Sequence, residues 1–303
     1  MYKRILVTGA SGFIGSRVCK KLSKYKLFAV ISPFSDKKRQ LSKNKHLSVF
    51  KINLEDATKV DKLFKRIKPD IVIHLATHGV YQYQQNDEER IVKGNYLMTL
   101  NLLESSIRYG VKKFINTGSV FEYGSRAGKV KEKDIDLKDI LNKYSAVKMA
   151  TTALANSFAN KIKIITLRPF TTYGQGEDET RFVRSTIIRA LNNEPIRIVK
   201  GVIRDFVYVD DVADAYVKAV GKDFISGEIL SIGSGKKSTL DEVALLIKKL
   251  TNSKSKIVFD DKYVREKESR CWADISAAKK ILNWEPKTNL KNGIVKSVDF
   301  IKK

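Results

Sequence analysis

A tyrosine and a lysine four residues apart are the side chains in this sequence best suited to proton transfer. Tyr144 and Lys148 delimit the run Tyr-Ser-Ala-Val-Lys, and on a helix this spacing places both side chains on one face. A neighbouring ammonium group favours a phenolate, so we expect Lys148 to lower the pKa of Tyr144 from its usual value of about 10. Such a tyrosine can exchange a proton with a substrate hydroxyl. The pair therefore predicts acid–base catalysis, with a functionless surface pair as the alternative.

Three glycines near the start of the chain predict a binding site for the phosphates of a dinucleotide. They recur at every third residue between a predicted strand and a predicted helix. Glycines in this arrangement allow a tight turn, close approach of the backbone to a pyrophosphate and close packing of helix on strand. The helix that follows offers N–H groups and a positive dipole end to the phosphates. The alternative is a tight turn without a ligand. Cofactor contacts are assigned to Gly9, Ser11, Gly12, Phe13, Ile14 and Gly15.

Apolar strands and helical patterns alternate through the first half of the chain. Strands are predicted at residues 4–7, 28–31, 47–51, 70–75, 113–116 and 162–167. Helices are predicted at residues 14–22, 57–67, 90–109 and 145–159. This alternation indicates βαβ units, and apolar runs without alternation indicate strands covered on both faces. The sequence therefore predicts an α/β protein with a Rossmann-type, doubly wound parallel sheet.

The second half has shorter segments punctuated by glycines, and it predicts a smaller α/β substrate-binding lobe. Its clearest element is an amphipathic helix at residues 239–250, with Ser238 as the expected N-cap. We divide the chain into a dinucleotide-binding Rossmann domain at residues 1–168 and a substrate-binding lobe at residues 169–303. Because no linker is visible, we expect the two parts to be interleaved.

Composition excludes several other classes of protein. The 303 residues are 43% hydrophobic and 30% charged, which suits a large buried core. The two cysteines, Cys19 and Cys271, are too few for a disulfide framework, and no Cys/His cluster predicts a metal site. No signal peptide and no apolar stretch of about 20 residues is evident, so we expect a soluble cytoplasmic protein without a membrane partner.

The net charge of +25 raises the question of nucleic-acid binding. The lysines are scattered and interleaved with acids, no basic run alternates with aromatic residues, and no nucleic-acid-binding signature is present. We therefore expect no nucleic-acid partner. A positive field would still attract a small substrate that is rich in phosphate.

The end of the second predicted strand bears on the choice of dinucleotide. An acid at this position would hydrogen-bond the ribose hydroxyls of NAD, but here the strand is followed by Ser32 and Pro33. Ser32 with the nearby Lys37, Lys38 and Arg39 could instead accept the 2′-phosphate of NADP. The alternative is a solvated basic loop. We expect NADP or NAD as the cofactor, with NADP favoured.

The glycine spacing, the Phe13-Ile14 pair and the Tyr-x-x-x-Lys run together resemble the extended short-chain dehydrogenases/reductases. Within that superfamily, the sequence is similar to the NAD(P)-dependent nucleotide-sugar epimerase/dehydratase family. The resemblance implies that Lys148 also holds the nicotinamide ribose, whereas His74 is expected to be structural. The further cofactor contacts that it implies are made by Asn53, Leu54, Leu75, Ala76, Thr77, Asn95, Thr117, Tyr144 and Lys148.

The segment before the Tyr-Gly pair at 123–124 resembles the family segment that supplies a catalytic hydroxyl. By this resemblance Ser119 hydrogen-bonds the reacting oxygen and orients it towards Tyr144, with Thr117 as the fallback. In the 4,6-dehydratases of the family an Asp-Glu pair follows this position. Here Val120 and Phe121 stand there, and neither can transfer a proton. We therefore expect no dehydratase activity, and we expect Glu122 to point elsewhere.

Segments of the second half resemble the part of the family that binds a nucleoside-diphosphate sugar. The run Arg-Pro-Phe-Thr-Thr-Tyr-Gly at 168–174 places Thr171 at the usual asparagine position, and the run Arg-Asp-Phe-Val-Tyr-Val-Asp-Asp-Val begins at Arg204. The resemblance implies that Arg204 and Arg265 bind the diphosphate, which suits the fork geometry of guanidinium groups. Glu268 completes the late Arg-x-x-Glu pair. These residues predict a nucleotide-sugar substrate.

Two reactions fit the resemblance. In the first, NADPH reduces an NDP-4-keto-6-deoxyhexose at C4, as the likeness of the late half to the CDP-abequose and CDP-paratose synthases suggests. In the second, a tightly held NAD serves an NDP-hexose 4-epimerase of the UDP-glucose or UDP-GlcNAc type. A third hypothesis, a non-catalytic dinucleotide-sensing or RNA-binding relative, is disfavoured because Tyr144 and Lys148 are both present. A homodimer through the helices at 90–109 and 145–159 is also implied.

Overall fold

The computed structural model describes residues 3–34, 41, 45–84, 86–259 and 270–302. The strands are β1 Arg4–Thr8, β2 Lys26–Ile31, β3 Leu47–Lys51, β4 Ile71–His74, β5 Lys113–Thr117, β6 Ala127–Val130, β7 Lys163–Pro169, β8 Thr171–Tyr173, β9 Ile196–Ile198, β10 Ile203–Arg204, β11 Phe206–Tyr208, β12 Glu228–Ile232, β13 Ser238–Thr239, β14 Ile257–Phe259 and β15 Arg270–Ala273. The α-helices are α1 Phe13–Lys21, α2 Ala57–Ile67, α3 Asn95–Arg108, α4 Lys143–Ser157, α5 Phe182–Leu191, α6 Val209–Gly221, α7 Leu240–Leu250, α8 Ser276–Leu282 and α9 Leu290–Ile301.

Seven parallel strands form the main sheet in the order β12-β7-β5-β4-β1-β2-β3. Ile5, on the interior strand β1, pairs with Leu27 on one side and Ile71 on the other. β4 is buried along its whole length because helices cover both faces of the sheet. The predicted Rossmann-type α/β fold is therefore confirmed, and the predicted elements of the first half, except the helix at 90–109, recur within about two residues of their expected bounds.

Two apolar layers enclose the sheet. One contains buried residues of α1, α6 and α8, including Val18, Tyr216 and Leu282. The other contains buried residues of α2, α3 and α4, including Phe64 and Leu102. Layers on both faces hold the strands rigidly in register, which fixes the loops at the strand ends. The predicted helix at 90–109 differs in one respect, because its first turn is a π-helix at Arg90–Gly94.

The second half forms a smaller cluster in which α5, α7 and α9 pack around β9 and β11. Tyr173 and Phe206 meet edge-on in its core, with ring centroids 6.1 Å apart. The chain then returns to the main sheet as β12, which pairs with β7. The expectation that Ser238 caps the late helix is wrong: Thr239 caps it, because its hydroxyl accepts the Glu242 amide.

Among the described residues, no helix combines the length and the apolar character that a membrane crossing requires.

Candidate active site

The predicted site residues follow neighbouring strands of the main sheet, at the points where these strands end. The glycine turn follows β1, residues 75–77 follow β4, and Thr117 ends β5. Because β1, β4 and β5 are adjacent and parallel, their carboxyl ends meet at one edge of the sheet. Open α/β sheets bind their ligands at this edge. The fold therefore brings the glycine turn and the catalytic candidates together.

The glycine turn leaves no room for a side chain at its three glycines. Gly9 has φ +62°, and a Cβ there would lie 2.7 Å from the amide nitrogen of Ala76. A Cβ on Gly12 would lie 2.9 Å from the Gly9 carbonyl oxygen, and one on Gly15 would lie 2.1 Å from it. Gly12 is also the N-cap of α1 and supplies no side-chain cap. A bare backbone that leads into a helix N-terminus in this way fits the pyrophosphate of a dinucleotide.

A buried polar chain ties the glycine turn to α3. The Thr8 hydroxyl accepts two backbone amides of the loop after β4 and lies 2.8 Å from His74 Nδ1. His74 Nε2 lies 3.1 Å from the Thr99 hydroxyl, which donates to the Asn95 carbonyl. Thr8 must therefore donate to Nδ1 and Thr99 must accept from Nε2, which defines a neutral imidazole. Burial lowers the pKa of His74 to about 3, in agreement with the predicted structural role.

Asn95 holds the loop that follows β4. Its side-chain nitrogen donates to the carbonyls of His78 at 2.9 Å and Ile91 at 2.6 Å. Its side-chain oxygen accepts the His78 amide at 2.9 Å and the Thr77 hydroxyl at 3.0 Å. These four bonds exhaust the hydrogen-bonding capacity of the amide. Asn95 thus positions Thr77, and a direct polar contact with a cofactor, as predicted for it, is not expected from its side chain.

Ser119 and Tyr144 meet at the same edge of the sheet. Ser119 is the N-cap of a single 3₁₀ turn at Val120–Tyr123, and its hydroxyl accepts the Phe121 amide at 3.2 Å. Tyr144 lies in the first turn of α4, and the side chains of Thr77 and Ser119 lie near its hydroxyl and lower its pKa. A phenol and an alcohol held together in this way can contact one substrate oxygen simultaneously.

Lys148 lies one turn after Tyr144 on α4 and is anchored at the end of β5. Its Nζ donates to the Thr117 carbonyl at 2.5 Å. The Thr117 hydroxyl is engaged separately, since it accepts the Tyr216 hydroxyl at 2.9 Å. Burial lowers the pKa of Lys148 to about 8, although the charge of Glu122 opposes this shift. The ammonium group is therefore close to its titration range at physiological pH.

The expectation that Lys148 lowers the pKa of Tyr144 is wrong for this arrangement. Burial raises the pKa of Tyr144 to about 12, and hydrogen bonds from Thr77 and Ser119 oppose the shift without cancelling it. Lys148 donates to a backbone carbonyl instead. The phenol is thus protonated at neutral pH, and it is better suited to donate a proton than to accept one.

The positions after Ser119 carry no proton-transfer group towards Tyr144. Phe121 packs edge-on against the Tyr144 ring, with centroids 5.6 Å apart. Glu122 turns back, as expected: its Oε1 accepts the Ser119 amide at 2.7 Å and its Oε2 accepts Arg168 Nε at 2.9 Å. Sequence reasoning missed the pairing of Glu122 with Arg168, because nothing in a single sequence links residues so far apart.

The remaining predicted cofactor residues of the first half lie at the same edge, after β2 and β3. Ser32 is exposed, and its hydroxyl accepts the Phe34 amide at 3.2 Å. The side-chain oxygen of Asn53 accepts the Glu55 amide at 3.1 Å, and Leu54 is buried. The basic candidates Lys37, Lys38 and Arg39 lie outside the described residues.

The predicted substrate residues of the second half are only partly described. Thr171 begins β8 and donates its amide to the Asp205 carbonyl at 3.0 Å. Arg204 ends β10, is half-buried, and donates to the Ile203 carbonyl at 2.8 Å. Arg265 and Glu268 lie outside the described residues. The described part therefore places one of the two predicted arginines.

Asp205 is a buried acid for which the sequence predicted no role of its own, because it appeared only as part of the run that begins at Arg204. Its carboxylate accepts the Ser234 amide and hydroxyl at 2.6 Å each. It also accepts the amides of Gly235 and Ala273, at 3.0 Å each. Four donors from two segments thus converge on one carboxylate, which makes Asp205 a structural clamp of the second half.

Within the described ranges, no group of three or more His, Cys, Asp or Glu side chains is arranged to hold a metal ion.

Comparison with known proteins decides the family. Residues 5–233 match the NAD dependent epimerase/dehydratase family. The chain belongs to this family. The recognised resemblance is thus confirmed, and with it the assignment to an enzyme family of nucleotide-sugar metabolism that depends on NAD(P).

Relatives within the epimerase/dehydratase family include proteins named for different reactions. An uncharacterized UDP-glucose epimerase of Bacillus subtilis is 31% identical, with 98% of each chain covered. A CDP-abequose synthase of Salmonella muenchen is 27% identical, again with 98% of each covered. A crystal structure of UDP-glucuronic acid 4-epimerase from Bacillus cereus, in complex with UDP-glucuronic acid and NAD, is 28% identical, covers 99% of both chains and has a TM-score of 0.88.

Proposed function

We propose that this chain transfers hydride at C4 of a nucleoside-diphosphate hexose. The observation that carries the proposal is the convergence of Ser119, Tyr144 and Lys148 beside the glycine turn, at the ligand-binding edge of the sheet. The nicotinamide ring of NAD(P), when bound, supplies or accepts the hydride. Tyr144 exchanges the proton with the sugar O4, and Ser119 orients that oxygen by hydrogen bonding. Lys148 binds the nicotinamide ribose.

Binding of the two ligands is divided between the halves of the chain. In our proposal the bare backbone at Gly9–Gly15 and the loop at 75–77 receive the dinucleotide, within a Rossmann domain at residues 1–168. The lobe at residues 169–303 receives the nucleotide sugar, through Thr171, Arg204 and the Arg265/Glu268 pair. Guanidinium groups match the oxygens of a diphosphate better than ammonium groups do.

Reduction of an NDP-4-keto-6-deoxyhexose by NADPH is the reaction that we favour. The residue after β2 is Ser32, a hydroxyl where an NAD-specific site would carry an acid. Tyr144 is protonated at neutral pH and can supply the proton that reduction of a ketone requires.

Epimerisation at C4 is the second candidate. It is favoured by the likeness, along 99% of the chain, to the UDP-glucuronic acid 4-epimerase that was crystallised with NAD. An epimerase must present both faces of the sugar to the ring, so it needs room for the sugar to turn. The two reactions therefore differ in the freedom of the sugar at Tyr144 as well as in the cofactor.

One experiment separates the two candidates. The purified protein is unfolded and its released nucleotides are identified by mass spectrometry. Separate samples are then assayed with NADPH and an NDP-4-keto-6-deoxyhexose, or with UDP-hexoses and no added cofactor. A reductase consumes NADPH in proportion to the ketosugar and releases no tightly held NAD. An epimerase releases NAD and converts UDP-hexose unaided. If the protein were inactive in both assays, the proposal would be refuted.

We also propose that the protein is a homodimer through α3 and α4. Val92 and Tyr96 are 47% and 38% exposed, and they line a cavity of about 390 Å³ with Leu97, Val147 and Ala150. Contiguous exposed apolar surface of this kind commonly marks an interface. Tyr96→Lys should convert the dimer to a monomer in multi-angle light scattering, whereas Leu245→Lys on α7, also an exposed apolar position, should not. A monomeric wild-type protein would refute the dimer.

A further inference from the structure

A buried ion pair lies directly behind Ser119. The side chains of Arg168 and Glu122 are 2% and 0% exposed, and Arg168 Nε lies 2.9 Å from Glu122 Oε2. Arg168 also donates to the Glu132 carbonyl at 2.9 Å. Burying such a pair costs desolvation energy, and apolar replacements of both partners are often equally stable. A contribution to stability therefore does not explain why the ion pair is present. Its contacts with the neighbouring backbone offer another explanation.

The second oxygen of Glu122 holds the backbone of the catalytic candidate. Oε1 accepts the Ser119 amide at 2.7 Å, and the Ser119 hydroxyl accepts the Phe121 amide at 3.2 Å, so the turn carries a complete capping box. A hydroxyl has one donor and two acceptor sites. With one acceptor site used by Phe121, its proton and one lone pair remain for Tyr144 and a substrate oxygen.

Close packing transmits the position of the ion pair to Ser119. A Cβ on Gly118 would lie 2.4 Å from Glu122 Oε1 and 2.7 Å from Arg168 Cγ. The Gly118 amide donates to the Leu167 carbonyl at 2.7 Å, which ties this point to β7. The backbone at 118–119 therefore packs closely against the ion pair, and a movement of the ion pair would displace this backbone.

We propose that Glu122, held in place by Arg168, is a positioning residue that aims the Ser119 hydroxyl at Tyr144 for hydride transfer. This inference rests on the proposed function of the site. Glu122 contacts neither sugar nor cofactor in this role and transfers no proton. Its carboxylate holds the Ser119 amide, and the guanidinium of Arg168 neutralises its charge inside the protein.

A matched pair of double variants isolates the hydrogen bond to Ser119. Both Glu122→Gln/Arg168→Met and Glu122→Leu/Arg168→Met remove the two charges, so neither leaves an unpaired ion in the core. The two proteins differ in one feature: glutamine retains a side-chain oxygen that can accept the Ser119 amide, and leucine does not. We expect kcat to be about 100-fold lower in the leucine variant, the effect of a misplacement of about 1 Å.

A double-mutant cycle distinguishes positioning from a structural defect. Adding Ser119→Ala to both variants should abolish the difference in kcat between them, because Glu122 acts through the Ser119 hydroxyl. The Kd for NADPH and the KM for the sugar should remain similar throughout. A difference in kcat that persists without the Ser119 hydroxyl, or equal kcat in the two double variants, would overturn the inference.

A second capping box, at the start of α7, supplies the control. Glu242 accepts the Thr239 amide at 2.8 Å at the start of α7, which follows the small β10-β13 sheet and not a strand of the main sheet. Glu242→Leu should leave kcat unchanged.

Crystal structures of the double variants give a readout that needs no activity. The Ser119 hydroxyl should keep its contact with Tyr144 in the glutamine variant and lose it in the leucine variant. If the wild-type protein proved inactive on nucleotide sugars, the proposed function would fail while this structural comparison still decided the positioning role. An unmoved Ser119 in the leucine variant would count against it.

Discussion

Two buried carboxylates, Glu122 and Asp205, both accept hydrogen bonds from the backbone, but we assign them different roles. Glu122 accepts one backbone amide and one guanidinium, and the residue it holds, Ser119, keeps a hydroxyl proton for another partner. Asp205 accepts four donors from two segments, and all four bonds hold the second half of the chain together. Burial of an acid therefore does not mark an active site by itself. What matters is whether the group that it holds retains unused hydrogen-bonding capacity.

The largest expected effect is the loss of turnover when the catalytic candidate Tyr144 is changed. Tyr144→Phe should lower the rate of sugar reduction by about 10²–10⁴-fold, since it removes the proton donor. The melting temperature should change little, because the ring and its packing remain. Steady-state kinetics and thermal unfolding of the same preparation measure both. Tyr109→Phe is the control, because its hydroxyl bonds only the partly exposed Asp61 among the contacts described. Retained activity in Tyr144→Phe would contradict the proposed chemistry.

The structural side of the comparison predicts a loss of stability. Asp205→Ala should lower the free energy of unfolding by about 3 kcal/mol or more, because each buried donor left without a partner costs about 1–3 kcal/mol. Denaturant titration measures the loss. Asp214→Ala removes an acid whose ion pair with Lys21 is about one-third exposed, and it should cost less than about 1 kcal/mol. An Asp205→Ala protein that kept its stability but lost turnover would reverse the roles that we assign.

The pH dependence of reduction should report Lys148 before it reports Tyr144. Lysine carries its charge below its pKa, which burial lowers to about 8 for Lys148, whereas burial raises the pKa of Tyr144 to about 12. As pH rises through about 8, the ammonium group that holds the ribose is lost while the phenol is still protonated. The value of kcat/KM should then fall about tenfold per pH unit.

The pH prediction has its own check. Lys148→Arg should move the alkaline limb upwards, because the guanidinium keeps its charge at far higher pH. If the fall of kcat/KM at alkaline pH occurred at the same pH in this variant, a group other than Lys148 would be responsible for it.

The smallest effect compares the two capping boxes. Thr239→Ala should cost about 1 kcal/mol of stability, the usual value of an N-cap, and should leave turnover unchanged. Ser119→Ala should cost a similar amount of stability and should also lower kcat. Unfolding and kinetic measurements on both variants separate the two contributions. Equal turnover in the two alanine variants would remove the distinction between a cap that only stabilises and one that also orients a catalytic group.

The local patterns were sufficient for the fold and for the chemistry of single residues. Glycines every third residue and alternating apolar runs predicted the sheet and the turn at Gly9, because these patterns reflect backbone sterics and helix or strand periodicity. The π-helix at Arg90–Gly94 was not predicted, since the apolar pattern over a single turn does not distinguish it from the α-helix that follows. The N-cap of α7 was missed by one residue although its cause is local, since Thr239 and Glu242 form a capping box whose Thr-x-x-Glu spacing is visible in the sequence.

Sequence alone determined which groups are available: a phenol and an ammonium one helical turn apart, a hydroxyl at 119, and a turn that only glycine can form. The tertiary structure decided how they behave. Burial raised the pKa of Tyr144 when the linear spacing to Lys148 suggested the reverse. The tertiary structure also brings Glu122 and Arg168, which are 46 residues apart in the sequence, into a hydrogen-bonded ion pair. Both results depend on the local dielectric and on long-range contacts, which arise only when distant segments pack together.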